Sequence, residues 1–225
     1  MRGRIRPRAA THREVDRAPL LRLTEHGLFC EAGGFHVDAW QLVERTIVTH
    51  AHADHAHAGC GHYLTAAPGL ELLKLRVGEA SVQGLRYGER LALGEVTVSL
   101  HPAGHILGSA QVRIEHRGEV WVVSGDYKLA DDPTCAPFEP VRCHTFLTES
   151  TFGLPVYRWA SSAATIAEIQ GWWQANARDG KTSLLLCYAL GKAQRVLAGL
   201  DASVGPVVVH GAVERINLAY RAAGV

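Results

Sequence analysis

Through the first two thirds of the chain the apolar positions alternate or run in short stretches, which is the spacing of strands. "LLRLTEHGLFCEAGGFHVDAW" (20–40) predicts a hairpin of short strands about Gly33 and Gly34, ending on Phe35, Val37 and Asp38. "RTIVTH" (45–50) reads as a buried strand, followed by a loop and a short helical start, and "HYLTA" (62–66) as another strand. "PGLELLKLRVG" (68–78) predicts a helix opened by Pro68 and closed by Gly78. From Ser81 to Lys128 the pattern is again that of strands, with a hairpin turn at His116-Arg117-Gly118-Glu119. "HTFLTES" (144–150) is a further strand. The period then changes. "SSAATIAEIQGWWQANARDG" (161–180) places Ile166, Ile169 and Trp173 on one helical face, with Ser161 or Ser162 as cap and Gly180 as stop. A buried strand "TSLLLCYA", a helix "GKAQRVLAGL" and a strand "PVVVH" come next. The chain thus divides into a β-rich part, residues 1–153, and a β/α part, residues 154–225.

Composition narrows this only a little. With 47% hydrophobic and 20% charged residues over 225 positions, the chain is an ordinary globular sequence. Its apolar runs fall short of the roughly 20 residues a membrane span needs, so the expectation is a cytoplasmic protein without a membrane partner. Cys30, Cys60, Cys135, Cys143 and Cys187 are scattered and never form a C-x-x-C pair, which suits reduced thiols. Arg2, Arg4, Arg6, Arg8 and Arg13 form a basic arm that could touch phosphates, although a solvated terminus is the better reading.

Candidate chemistry gathers in "VTHAHADHAHAGCGHYLT" (48–65), where five histidines and an aspartate follow a strand. A chain leaving a strand into a turn can aim His50, His52, Asp54 and His55 at one point, which is a metal-ligand pattern. His105, between Gly104 and Gly108, and Asp126, at the end of the apolar strand "VWVV", lie at other strand ends and complete the set. His57 and His62 read as solvent-exposed, Cys60 as a small buried residue, and His210 as a strand-end residue of the second part.

In order along the chain, "THAHADH", "AGHILGS", "SGDYK" and "TESTFG" resemble the metallo-β-lactamase fold in its nucleic-acid-cutting β-CASP branch, most closely the bacterial ligase-associated DNA exonucleases. The resemblance implies an αββα sandwich over 1–153 and the start of an inserted β-CASP-like α/β domain over 154–225. It further implies two divalent ions, zinc or manganese. One would be held by His50, His52 and His105, the other by Asp54 and His55, with Asp126 bridging and Asp38 supporting. Asp54, Asp126 and Glu149 would serve catalysis, and Gly191 with Lys192 would grip a phosphate. By the same resemblance Val225 falls inside the inserted domain, ahead of the general-acid histidine and the last ligand of the second ion, so that site is expected to be incomplete. The implied activity is cleavage of single-stranded DNA from the 3′ end in repair, in association with a DNA ligase and a helicase. A β-CASP ribonuclease, a thioester or lactam hydrolase, and a non-catalytic nucleic-acid-binding module are the alternatives.

Overall fold

A computed structural model describes residues 19–78 and 80–225, so the arginine arm from Arg2 to Arg13 lies outside the described residues. Six strands lie in chain order in one sheet: β1 (Arg22–Thr24), β2 (Gly27–Cys30), β3 (Phe35–Val37), β4 (Arg45–Ile47), β5 (His62–Ala66) and β6 (Ser81–Leu85). β1 to β3 pair antiparallel, whereas β3 to β6 run parallel. Parallel neighbours require crossovers. The β4–β5 crossover is the histidine segment, which makes a single turn about His52–Ala56 where the sequence predicts a helical start. The β5–β6 crossover is helix α1 (Leu70–Val77), entered through Pro68 and closed at Gly78, as its sequence predicts.

The second sheet has the order β11-β10-β9-β8-β7, built from β7 (Arg90–Leu93), β8 (Val96–Pro102), β9 (Ala110–His116), β10 (Glu119–Val123) and β11 (Thr145–Leu147). β7 to β10 form an antiparallel meander, and β11 joins β10 in parallel. Arg117 and Gly118 both carry positive φ, as a tight two-residue hairpin requires. The two sheets face one another across a core in which Phe35, Ile47, Val98, Leu100, Val112 and Ile114 are fully buried. α1 covers the outer face of the first sheet, setting Leu73 and Val77 against Val48 and Tyr63. α1 and the two facing sheets are successive layers of the αββα sandwich.

Helices α2 (Ser162–Arg178), α3 (Lys192–Gly199) and α4 (Gly211–Ala222) complete the described chain. The Ser161 hydroxyl accepts the Ala164 N–H, capping α2, and Ile166, Ile169 and Trp173, expected on one face, are among its half-buried side chains. The buried strand "TSLLLCYA" and the strand "PVVVH" expected here do not form. Residues 182–189 and 206–210 belong to no sheet among the described residues, and Leu184, Leu186 and Val208 are 78%, 88% and 91% exposed. The Val run of 206–210 favours extended backbone and the Leu run of 182–189 is apolar enough for a core strand, but a strand also needs a neighbour for its N–H and C=O groups, and neither run has one among the described residues. His210 is accordingly not a strand end. It caps α4, its Nδ1 accepting the Ala212 N–H. A small cluster joins this part to the sandwich: Leu190, Ala219 and Tyr220 pack with Ala51, Leu72, Ile106 and Leu107.

Candidate metal centre

The predicted ligands all leave the carboxyl ends of strands at one edge of the sandwich. Asp38 follows β3, His50 follows β4, His105 follows β8, Asp126 follows β10 and Glu149 follows β11. Strand ends give a rigid base, while the turns beyond them are free to point side chains inward. The two sheets are tied together there, since the Ala110 N–H donates to the Thr49 carbonyl at 2.8 Å. The His105 turn is pinned by Ser109, whose hydroxyl accepts the N–H groups of His105 and Ile106 at 3.0 and 3.2 Å. Gly104 and Gly108 carry φ of 74° and 75°, and a side chain at either would strike backbone.

His50, His52, His105 and Asp126 each direct one ligand atom into a space where all four lie within 4.8 Å of one another. His52 Nδ1 stands 3.0 Å from His50 Nε2 and 3.2 Å from His105 Nε2. Asp126 Oδ2 is 3.8 Å from His50 Nε2 and 3.7 Å from His105 Nε2. Four ligands at about 2.0–2.1 Å from a tetrahedral ion stand about 3.3 Å apart. The observed spacings bracket that edge, so the donor set fits one divalent ion. Proton accounting agrees with the fit. The Thr49 hydroxyl donates to Asp38 Oδ2 at 2.7 Å, so it accepts from His50 Nδ1 at 3.1 Å, and Nε2 keeps its lone pair.

The remaining predicted residues surround this cluster. Asp38, at a φ of 46°, accepts the Thr49 N–H and the Thr49 hydroxyl, and it holds His55 Nδ1 at 2.7 Å. His55 Nε2 then lies 3.4 Å from Asp126 Oδ1 and 3.7 Å from Asp54 Oδ2, with the Asp54 carboxylate largely exposed. The described residues bring together one four-donor group, and Asp54 and His55 stand beside it rather than within it. They face a cleft of about 420 Å³ lined also by Trp40, Gly125 and Glu149. Glu149 accepts backbone N–H groups from Tyr127 and Thr151.

Gly191 is the N-cap of α3 at a φ of 89°, but its N–H is taken by Gln194 Oε1 at 2.7 Å and the Ala193 N–H by the Tyr188 carbonyl at 3.1 Å. An amide cradle for phosphate is therefore partly occupied, which leaves the exposed Lys192 as the cation of that turn. His57 is half-buried and held against the Ala39 carbonyl rather than exposed as expected, while His62 is exposed. Cys60 is buried, as its reading as a small packing residue expects. Thr49, Ser109 and the Leu190 carbonyl, which meets His52, escape the sequence reading. The serine of "GHILGS" and the threonine before His50 are visible in the chain, but a backbone carbonyl leaves no sequence signal.

The site's charge is divided between its two halves. Burial, reinforced by neighbouring imidazoles, pushes His50 well below the ordinary histidine range. Burial and His52 likewise lower His105 to about 4, against the pull of Asp126 and Glu149. For His55 burial works in the same direction but is outweighed by hydrogen bonds to Asp126 and Asp38, which raise it to about 10. Asp126 is held below the usual carboxylate range by its bond to His55, against its burial. In the metal-free protein, imidazole ¹⁵N shifts should accordingly show His105 neutral down to about pH 4 and His55 protonated up to about pH 10. A depressed histidine stabilises the fold above its unfolded pKa of about 6.5 and loses that contribution as pH falls, while a raised one loses it as pH rises. Melting of the metal-free protein should therefore peak near neutrality, and a monotonic profile would show that these two groups do not govern it.

No family model matches the chain. Over 204 residues it is 31% identical to a probable DNA ligase of Opitutus terrae, covering 89% of this chain and 20% of the relative. It is 30% identical over 125 residues to the endoribonuclease ysh1 of Aspergillus fumigatus, covering 53% of this chain and 14% of the relative. An RNase J-like protein of Methanocaldococcus jannaschii is 27% identical over 185 residues, covering 70% of this chain and 43% of the relative. The fold is the metallo-β-lactamase sandwich of the β-CASP nucleases. Within that sandwich the three-histidine, one-aspartate cluster is its metal-binding edge, with no helix of the described residues long and apolar enough to cross a membrane. The chain spans a fifth of the length of the first relative and less than half of the other two.

Proposed function

We propose that this sandwich is a metal-dependent phosphodiester hydrolase acting on single-stranded nucleic acid. The observation that carries the reading is the spacing of His50, His52, His105 and Asp126, which suits a divalent ion at the edge of an open cleft. Such an ion, when bound, supplies Lewis-acid relief of the charge that builds on a phosphate undergoing attack. The chain's own groups do the rest. Asp38 orients His55, which with Asp54 and the shared Asp126 offers donors for a second ion beside the first. To serve there His55 must give up the proton that Asp126 and Asp38 stabilise, and Asp54 is open to water, so this second position is the weaker one. Glu149, fixed by two backbone N–H groups, places a carboxylate on the far wall of the cleft.

The segment just beyond Glu149 favours single strands. Phe152, Tyr157 and Trp159 pack as three exposed rings with centroids 5.1–6.3 Å apart, a set of flat faces on which unpaired bases can stack. Lys192, exposed at the start of α3, is the phosphate contact. Lys192→Ala should weaken binding and lower the slope of log affinity against log salt by about one counterion, whereas an unchanged slope would remove Lys192 from the site.

Two polymers fit. RNA processing is supported by the relatives named as an endoribonuclease and as RNase J-like. A 3′–5′ exonuclease on single-stranded DNA, working in repair beside a ligase, is supported by the match to the probable DNA ligase along 89% of the chain. End-labelled single-stranded RNA, single-stranded DNA and duplex, each incubated with manganese or zinc, separate the readings. Metal binding without cleavage of any polymer would leave a nucleic-acid-binding module in place of a nuclease.

A further inference from the structure

His52 reaches in two directions. Its Nδ1 belongs to the donor cluster, and its Nε2 lies 3.3 Å from the carbonyl oxygen of Leu190, a residue of the helical part 138 positions away. A carbonyl can only accept, so this contact favours the tautomer with the proton on Nε2 and the lone pair on Nδ1, in competition with a proton on Nδ1 shared with His50 Nε2 at 3.0 Å. In the opposite tautomer a proton would point into the cluster and the donor would be lost. The Leu190 carbonyl therefore selects which nitrogen of His52 can bind an ion.

Several buried groups hold that carbonyl. Gln194, 5% exposed, accepts the Gly191 N–H through Oε1 at 2.7 Å and donates from Nε2 to the Ala189 carbonyl at 3.0 Å, so it fixes the chain on both sides of Leu190. Its other Nε2 proton goes to Asn217 Oδ1 on α4 at 2.9 Å. The next residue, Arg195, pairs with Asp132, whose side chain is 3% exposed and also accepts from Thr134 and Lys128. Asp132 lies six positions beyond Asp126, so this ion pair ties α3 to the segment that leaves the metal cluster.

We infer that Gln194 is a positioning residue of the metal centre: by bracketing Leu190 it keeps the Leu190 carbonyl against His52 Nε2 and so presents Nδ1 to the ion. The inference rests on the metal-centre reading of the site. Through Gln194, the helical part that follows the sandwich sets the metal affinity of a cluster whose ligands all come from the sandwich itself.

Gln194→Met, which keeps the volume and removes every hydrogen bond, tests this in two ways. In metal-free protein, ¹⁵N imidazole spectra should show His52 as a single Nε2–H tautomer in the wild type and as a mixture in the variant. Titration with Co(II) should show affinity reduced about 10- to 100-fold, the usual scale for groups that orient a ligand, with an altered visible spectrum. A merely structural glutamine would lower the melting temperature and move neither reading. Wild-type tautomer and wild-type Co(II) affinity in the variant would therefore overturn the assignment. Should Gln194→Met not fold, Gln194→Glu keeps the acceptor for Gly191 but loses both donated bonds, and it is judged by the same two readings. Failure of the wild type itself to bind Co(II) would sink the metal-centre reading and with it a metal role for Gln194, while the tautomer comparison would separately decide whether Gln194 orients His52.

Discussion

Asp126→Asn should reduce the affinity for a divalent ion by more than about 100-fold and take phosphodiesterase activity below detection. Changes outside the ligand set already cost 10- to 100-fold, and here an anionic ligand becomes neutral amid four imidazoles. Asp126 Oδ2 faces His50 and His105, and Oδ1 faces His55. The substitution therefore removes the one negative charge shared by the cluster and the group beside it. Asparagine has the same shape, and the residue sits in a turn beyond β10 rather than in the core between the sheets, so the fold should survive. Elemental analysis after equilibration with zinc or manganese reads the outcome. Full metal content in a folded variant would end the role assigned to Asp126.

Gly108→Ala should lower unfolding stability by about 2–5 kcal/mol. Gly108 carries a φ of 75°, and a Cβ there would stand 2.1 Å from the Gly69 Cα and 2.2 Å from the Gly69 N. Those are backbone atoms at the entry to α1, which carries Leu72 and Leu73 into the core, so they cannot swing aside as a long side chain would. The left-handed backbone costs a residue with a Cβ about 1–2 kcal/mol, and a forced overlap in a packed region adds about 1–3. Against a total of about 5–15 kcal/mol this is a large fraction. The same strain would shift the His105 turn, so metal affinity should fall along with the denaturant midpoint. A loss under about 0.5 kcal/mol would show that this turn and α1 are not locked together.

Local signals carry much of the architecture. Alternation about Gly33 and Gly34, Pro68 before α1, the Arg117–Gly118 turn and a serine cap at 161 or 162 each act within a few residues, and each is readable from the chain. The failures come where burial depends on a distant partner. "TSLLLCYA" and "PVVVH" have strand composition, yet strand pairing is a property of two segments, and the described residues give these no second one. His57 and His210 fail for a related reason. Whether a histidine is solvated, bound to a carbonyl or capping a helix depends on what the fold sets beside it.

The sequence by itself determined the donor types and their places at strand ends, because metal chemistry restricts ligands to few residues and a turn of the H-x-H-x-D-H form can aim them from one short segment. It also determined a β-rich part followed by a β/α part, since the period of the apolar positions is a local property, while the layering came only from the resemblance of its motifs to a known fold. Only the tertiary structure decided which donors converge. His105 and Asp126 lie far along the chain from His50, and the meeting of the two sheets at one edge brings them within ligand distance. It alone set the Thr49 hydroxyl against His50 Nδ1 and the Leu190 carbonyl against His52 Nε2, the partners that favour one tautomer of each ring. It alone divided the site into imidazoles kept neutral by burial and a His55 kept charged by two carboxylates. Desolvation and hydrogen bonding act through space, and distance in space is what the order of residues leaves open.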